Sequence, residues 1–161
     1  VAEALNETVL FLAKEAEALS INIVKEFDPA TPIIRSSLAQ MQQVFLNLLN
    51  NAIDAVGHDG EIRLTVAPAG RAVEVKVSDN GPGIPERLRE RIFEPFFSTK
   101  TEGAHNAGLG LAICRETMAA LGGEVAAASE LGRGTTFTLR FPIARDGEPA
   151  AAAAGRGAES L

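Results

Sequence analysis

The stretch Glu61-Ile62-Arg63-Leu64-Thr65-Val66-Ala67, followed by Pro68-Ala69-Gly70 and Arg71-Ala72-Val73-Glu74-Val75-Lys76-Val77-Ser78, alternates apolar and polar residues on both sides of a turn. Side chains of an extended chain point to opposite faces with period two, so each half reads as a strand with one buried face. The Pro-Ala-Gly break joins them as a hairpin. An antiparallel pair needs more strands, or covering helices, to be stable alone.

Both sides of the hairpin supply them. Upstream, apolar residues recur at helical spacing from Val1 to about Leu19 (Leu5, Val9, Leu12, Ala16, Leu19), and Ile21 to Phe27 alternates like a strand. Asp28-Pro29 breaks that strand, and Pro32 to Arg35 is read as a short second one. Ser36 is taken as the N-cap of a helix that runs to Val56 and stops at Gly57, with a turn at His58-Asp59-Gly60. Downstream, residues 79–107 are rich in Gly, Pro, Thr and charge, with one short helix between Pro85 and Arg91. Connections this long are often functional. Gly108 to Leu121 reads as a helix ended by Gly122-Gly123, and Glu124 to Ser129 and Thr135 to Pro142 as a closing hairpin around Gly132-Arg133-Gly134. This order predicts an α+β fold, a two-layer α/β sandwich whose mixed, mostly antiparallel sheet is covered on one face by three helices.

Composition sets limits. The chain has 161 residues, 46% of them hydrophobic, enough for one compact domain. We place that domain at residues 1–143 and expect a disordered Ala/Gly tail over 144–161. The net charge of −6 argues against nucleic acid as a partner, since phosphate backbones attract Lys and Arg. The single cysteine, Cys114, excludes an intrachain disulfide and sits among apolar neighbours, as a packing residue would. No apolar run reaches the roughly 20 residues of a membrane helix. A cytoplasmic location is expected, with the chain a piece of a longer protein.

Three constellations carry chemistry. On the helix from Ser36, with Asn47 at the origin and about 100° per residue, Asn51, Asp54, Gln40 and Gln43 all fall within about 40° and Asn50 at about −60°. Met41, Phe45, Leu49, Ala52, Ile53 and Val56 lie opposite. A merely wet face would carry Lys and Glu, which are better helix formers than Asn. Amide oxygens and one carboxylate at i, i+4 and i+7 suit a hard cation such as Mg²⁺, with triphosphate oxygens completing its shell. Next, Asp79-Asn80-Gly81-Pro82-Gly83-Ile84 follows a strand directly; its Asp could accept a hydrogen bond from an exocyclic amine. Last, Asn106-Ala107-Gly108-Leu109-Gly110-Leu111 opens a helix whose free N–H groups favour phosphate. Neither a Walker loop nor a dinucleotide fingerprint is present.

In this order these pieces resemble the GHKL superfamily of ATP-binding domains and, within it, the catalytic domains of sensor histidine kinases. Residues 43–55 look like its N box, 79–84 its first glycine box, 92–100 (Ile-Phe-Glu-Pro-Phe-Phe-Ser-Thr-Lys) its F box, 108–113 its second glycine box and 132–137 its last. The resemblance implies ATP and Mg²⁺ as cofactors. Asn51 would ligate Mg²⁺, with Asn47 and Asp54 on the same face. Asp79 would read the adenine amino group in a pocket shaped by Gly81, Gly83 and Ile84. A lid from Ile84 to Ala107 would be anchored by Phe93, Phe96 and Phe97. Gly108, Leu109, Gly110 and Leu111 would meet the phosphates, Thr136 would belong to the site, and Lys100 and His105 are candidates for the β- or γ-phosphate. His58 reads as a solvated loop residue.

Two departures bear on mechanism. Asn106 stands where a further glycine is usual, and Asn tolerates left-handed backbone. Asn47 stands where the superfamily's ATP hydrolases carry a general-base Glu, which favours phosphotransfer over hydrolysis. The resemblance implies a histidine kinase whose acceptor histidine lies in a separate hairpin domain, joined through Val1 to Leu19, with a response regulator as the next partner. The chain alone is then expected to be a monomer that binds ATP·Mg²⁺ without phosphorylating itself. Rival readings are a GHKL ATPase, a serine kinase of a regulatory protein and a non-enzymatic nucleotide sensor.

Overall fold

The computed structural model describes residues 1–34, 36–97 and 108–143. Its elements are α1 (Ala2–Ala18), β1 (Asn22–Phe27), α2 (Leu38–Val56), β2 (Glu61–Ala69), β3 (Ala72–Asp79), the short helix α3 (Glu86–Arg89), a 3₁₀ turn (Arg91–Phe93), α4 (Gly110–Ala120), β4 (Glu124–Glu130) and β5 (Gly134–Pro142). One five-stranded sheet runs in the order β1-β2-β3-β5-β4. The β2–β3, β3–β5 and β4–β5 pairs are antiparallel. Only β1 and β2 are parallel, because the helix α2 crosses over between them. The α+β sandwich is therefore as the residue pattern predicts.

The alternation in β2 and β3 sends Ile62, Leu64, Val66, Val73, Val75 and Val77 to the helix side, all at most 1% exposed. From β5, Phe137, Leu139 and Phe141 join them, with the Phe141 ring edge-on to Phe45 of α2 at 6.1 Å. Helix α1 adds Leu5, Val9 and Leu12. The other face of the sheet carries charge: Arg140 bonds Glu74 at 3.1 Å, Lys76 bonds Glu74 at 2.9 Å, and Arg63 pairs with Glu26 and Glu61. Such exposed pairs add little stability.

Four boundaries differ from expectation. Residues 32–34 form no strand; Asp28 Oδ1 instead accepts the Ala30 N–H at 2.8 Å and turns the chain. Arg35, the end of that expected strand, lies outside the described residues. The cap of α2 is Ser37, not Ser36, because Ser37 Oγ is three residues before the Gln40 N–H it accepts, at 3.4 Å. Helix α4 starts at Gly110, not Gly108, since Gly108 has φ +72° and cannot be helical. The helix expected between Pro85 and Arg91 is a single turn that tightens into 3₁₀. The tail, 144–161, lies outside the described residues.

Candidate functional site

Between α2, α4, the end of β3 and the Pro82–Ile92 segment lies a cavity of about 400 Å³. The amide stripe of α2 forms one wall: Asn47, Asn51 and Asp54 all line it. Asp79 and Thr135 line it as well, as do Gly83, Ile84, Leu88, Ile92 and Phe97. Gly108, Gly110 and Leu111 bring the start of α4 to the cavity, with Gly110 close to Asn47. The stripe and both glycine turns thus enclose one hollow.

Asp79 is only 8% exposed. Its Oδ1 accepts the Gly81 N–H at 2.9 Å and the Thr135 N–H at 3.3 Å. Burial pushes its carboxyl above the ordinary carboxylate range, and the two N–H bonds offset that only in part. The result is a held acceptor with its other oxygen available. Gly81 is part of this holding rather than of the wall: a Cβ there would lie 2.8 Å from the Ala55 carbonyl oxygen and 2.9 Å from Asp79 Oδ1.

Just before α4, Gly108 has φ +72°, and a Cβ on it would come within 2.7–2.9 Å of the Phe96 and Phe97 backbone. Leu109 does not line the cavity; it is the N-terminal boundary residue of α4, where its carbonyl accepts the Ile113 N–H at 2.9 Å. Among the described residues no side chain caps α4, and free N–H groups at a helix start favour an anion. At Gly110 a Cβ would meet Asn47 only at 3.8 Å. The Asn47 Nδ2 is buried and interacts with the Cys114 thiol without reaching good hydrogen-bond geometry among the described residues. Oxygen donors on Asn47, Asn51 and Asp54 fit a hard cation such as Mg²⁺. No cluster of three His, Cys, Asp or Glu side chains exists among the described residues, so phosphate oxygens would have to supply most of its shell.

Besides Gly81 and Leu109, three further expected residues stand off the cavity. Thr136 faces the other side of the sheet, its hydroxyl 2.9 Å from Ser78 Oγ. Thr135 takes the place expected for it, because strand residues alternate and Thr135 shares a face with Phe137. Phe93 backs the wall instead of forming it: its ring meets Phe137 edge-on at 6.3 Å. Phe96, read as an anchor, is 76% exposed with φ +63°. Ile92 and Phe97 anchor this segment, Phe97 with the Arg91 guanidinium 4.6 Å over its ring. Lys100, His105 and Asn106 lie outside the described residues. Cys114 is fully buried, as its neighbours implied; its thiol is 3.6 Å from the Val44 carbonyl, and burial pushes its pKa up to about 12, so it stays protonated.

The family described as "Histidine kinase-, DNA gyrase B-, and HSP90-like ATPase" matches residues 37–145. The sensor histidine kinase ZraS of Escherichia coli (strain K12) is 35% identical over 139 residues, covering 86% of this chain and 29% of ZraS. The catalytic domain of histidine kinase ThkA superposes with a TM-score of 0.80 at 34% identity, over 88% of this chain and 91% of that domain. ThkA in complex with its response regulator TrrA superposes with a TM-score of 0.78 at 30% identity, over 92% of this chain and 42% of that one. The chain belongs to this ATPase family, as a catalytic, ATP-binding domain of the sensor histidine kinase kind. It spans about a third of the length of the curated relatives it matches.

Proposed function

We propose that this domain, at residues 1–143, transfers the γ-phosphoryl group of ATP to a histidine of a separate helical-hairpin domain, within a two-component sensor kinase. The single observation that carries this reading is the shared cavity, lined together by the Asp79 carboxylate, by Asn47, Asn51 and Asp54 of α2, and by Gly108, Gly110 and Leu111 at the start of α4. Asp79 accepts a hydrogen bond from the adenine amino group. The N–H groups opening α4 receive phosphate oxygens. Asn51, with Asn47 and Asp54 beside it, holds Mg²⁺, whose chemistry when bound is neutralisation of phosphate charge. The same reading assigns Lys100, which lies outside the described residues, to the β- or γ-phosphate.

The incoming imidazole nitrogen forms a bond to the γ-phosphorus while the bond to the bridging oxygen breaks and ADP departs. Asn47 has no proton-accepting group at neutral pH, which favours this transfer over water attack. The phosphoryl group then passes to a response-regulator aspartate; the ThkA–TrrA complex supports a regulator of that kind as the partner. A cytoplasmic location, a monomeric state and a lack of nucleic-acid partners belong to the same reading. No described helix is long and apolar enough to cross a membrane.

The test supplies labelled ATP and Mg²⁺ to this chain with and without a separately purified hairpin domain carrying the acceptor histidine. Acid-labile, alkali-stable label is expected on the hairpin and none on this chain; label on this chain alone, or hydrolysis without transfer, overturns the reading. Calorimetry localises it: Asp79→Ala is expected to abolish ATP binding, and Asn51→Ala to remove mainly its Mg²⁺ dependence.

A further inference from the structure

Ser129, on β4, plays no part in the mechanism above, yet three polar groups converge on its hydroxyl. It accepts the Ile84 N–H at 2.7 Å, donates to the Gly134 carbonyl at 2.9 Å, and lies 2.9 Å from Thr135 Oγ1. Strand register explains the convergence. Ser129 is opposite Thr135, and Thr135 is opposite Asp79. Directly opposite residues share a face of a sheet, so the three side chains form one polar row across β4, β5 and β3 at the base end of the cavity.

Proton counting then orients Thr135. A serine hydroxyl has one proton and two lone pairs. Its proton goes to the Gly134 carbonyl, which can only accept, and one lone pair takes the Ile84 N–H. The remaining contact is satisfied when Thr135 donates. Thr135 Oγ1 is then an acceptor toward the cavity. Asp79 beside it also only accepts when ionised, with Oδ1 already taken by the Gly81 and Thr135 N–H groups.

We propose that Ser129 is a positioning residue which, by holding the Thr135 proton, makes the base end of the cavity select a 6-amino purine over a 6-oxo purine. This rests on the reading of Asp79 as the adenine contact. A 6-amino group brings hydrogens to this row of acceptors; a 6-oxo purine can still donate its N1–H to the row, but its 6-oxygen finds no donor in Asp79 or Thr135. A group left unpaired in this way is what gives a polar site its discrimination. Without Ser129 the Thr135 hydroxyl is free to turn and donate to that oxygen.

The experiment is calorimetry of the whole chain with ATP and with ITP, each with Mg²⁺. The wild type is expected to prefer ATP. Ser129→Ala is expected to lower the ATP-to-ITP affinity ratio on the order of tenfold, and Ser129→Thr, which keeps the hydroxyl, to preserve it. Thr135→Val is expected to lower the ratio as well, with Ser129→Ala adding nothing in that background. Simple damage to the turn at Ile84 would weaken both nucleotides alike, so an unchanged ratio in Ser129→Ala overturns the proposal. Should that variant not fold, an unchanged ratio in Thr135→Val overturns it independently. ATP binding by the wild type with an unchanged ratio in the variants sinks this inference alone; no ATP binding by the wild type sinks the Asp79 reading with it.

Discussion

At the scale of single residues, Asp79 sets function against stability. Its raised pKa means the folded protein holds this proton more tightly than the unfolded chain, whose value stays at the ordinary 3.8. Stability from this group is fully present below that ordinary value and is lost as pH rises through the raised folded-state value. At neutral pH the ionised, buried carboxylate therefore weighs against folding. Asp79→Asn is expected to raise the melting temperature of the nucleotide-free domain while weakening ATP binding severely; a lowered melting temperature would contradict the burial argument. ATP affinity should also fall on acidification at a pH above the usual carboxylate value, read by calorimetry over a pH series descending from neutral. That Asp79 and Asn51 belong together was legible beforehand, because each stands in a pattern that restricts its neighbours. Thr135 and Ser129 were missed although alternation with Phe137 and with Ala127 places both on the inward face.

At the scale of elements, glycines let two backbones meet. Gly134 has φ +108°, and a Cβ there would overlap the Asp79 carbonyl oxygen. The turn before it is tied to the first glycine box by the Gly132 N–H, which donates to the Pro82 carbonyl at 2.8 Å. Gly134→Ala is expected to cost at least about 2 kcal/mol of stability, measured by chemical denaturation. Gly110 is different: it opens α4 without positive φ, and a Cβ finds only ordinary contact with Asn47. Gly110→Ala is expected to leave stability within about 0.5 kcal/mol yet weaken nucleotide binding, because the methyl projects where phosphates would sit. Equal effects of the two substitutions on stability would show that close approach is not what selects glycine here.

At the scale of the whole molecule, nucleotide binding and folding are coupled, since the cavity is built from α2, α4, β3 and β5 together. At a hundredfold excess over its dissociation constant, a nucleotide should stabilise the domain by about 2.7 kcal/mol, or on the order of 5–10 °C in melting temperature. Thermal melts with ATP and Mg²⁺ check this, and no shift at saturation would count against a site assembled only in the folded state. Apart from the strand expected at 32–35, the sequence by itself determined the elements, their order, the sheet's inward face and the amide stripe of α2, because periods of two and 3.6 residues are written locally in the chain. Only the tertiary structure decided that β5 lies between β3 and β4, that Ile92 and Phe97 rather than Phe93 and Phe96 reach the cavity, and that Ser129, Thr135 and Asp79 form one row. Those relations depend on strand register and on packing between distant segments, which no local pattern encodes.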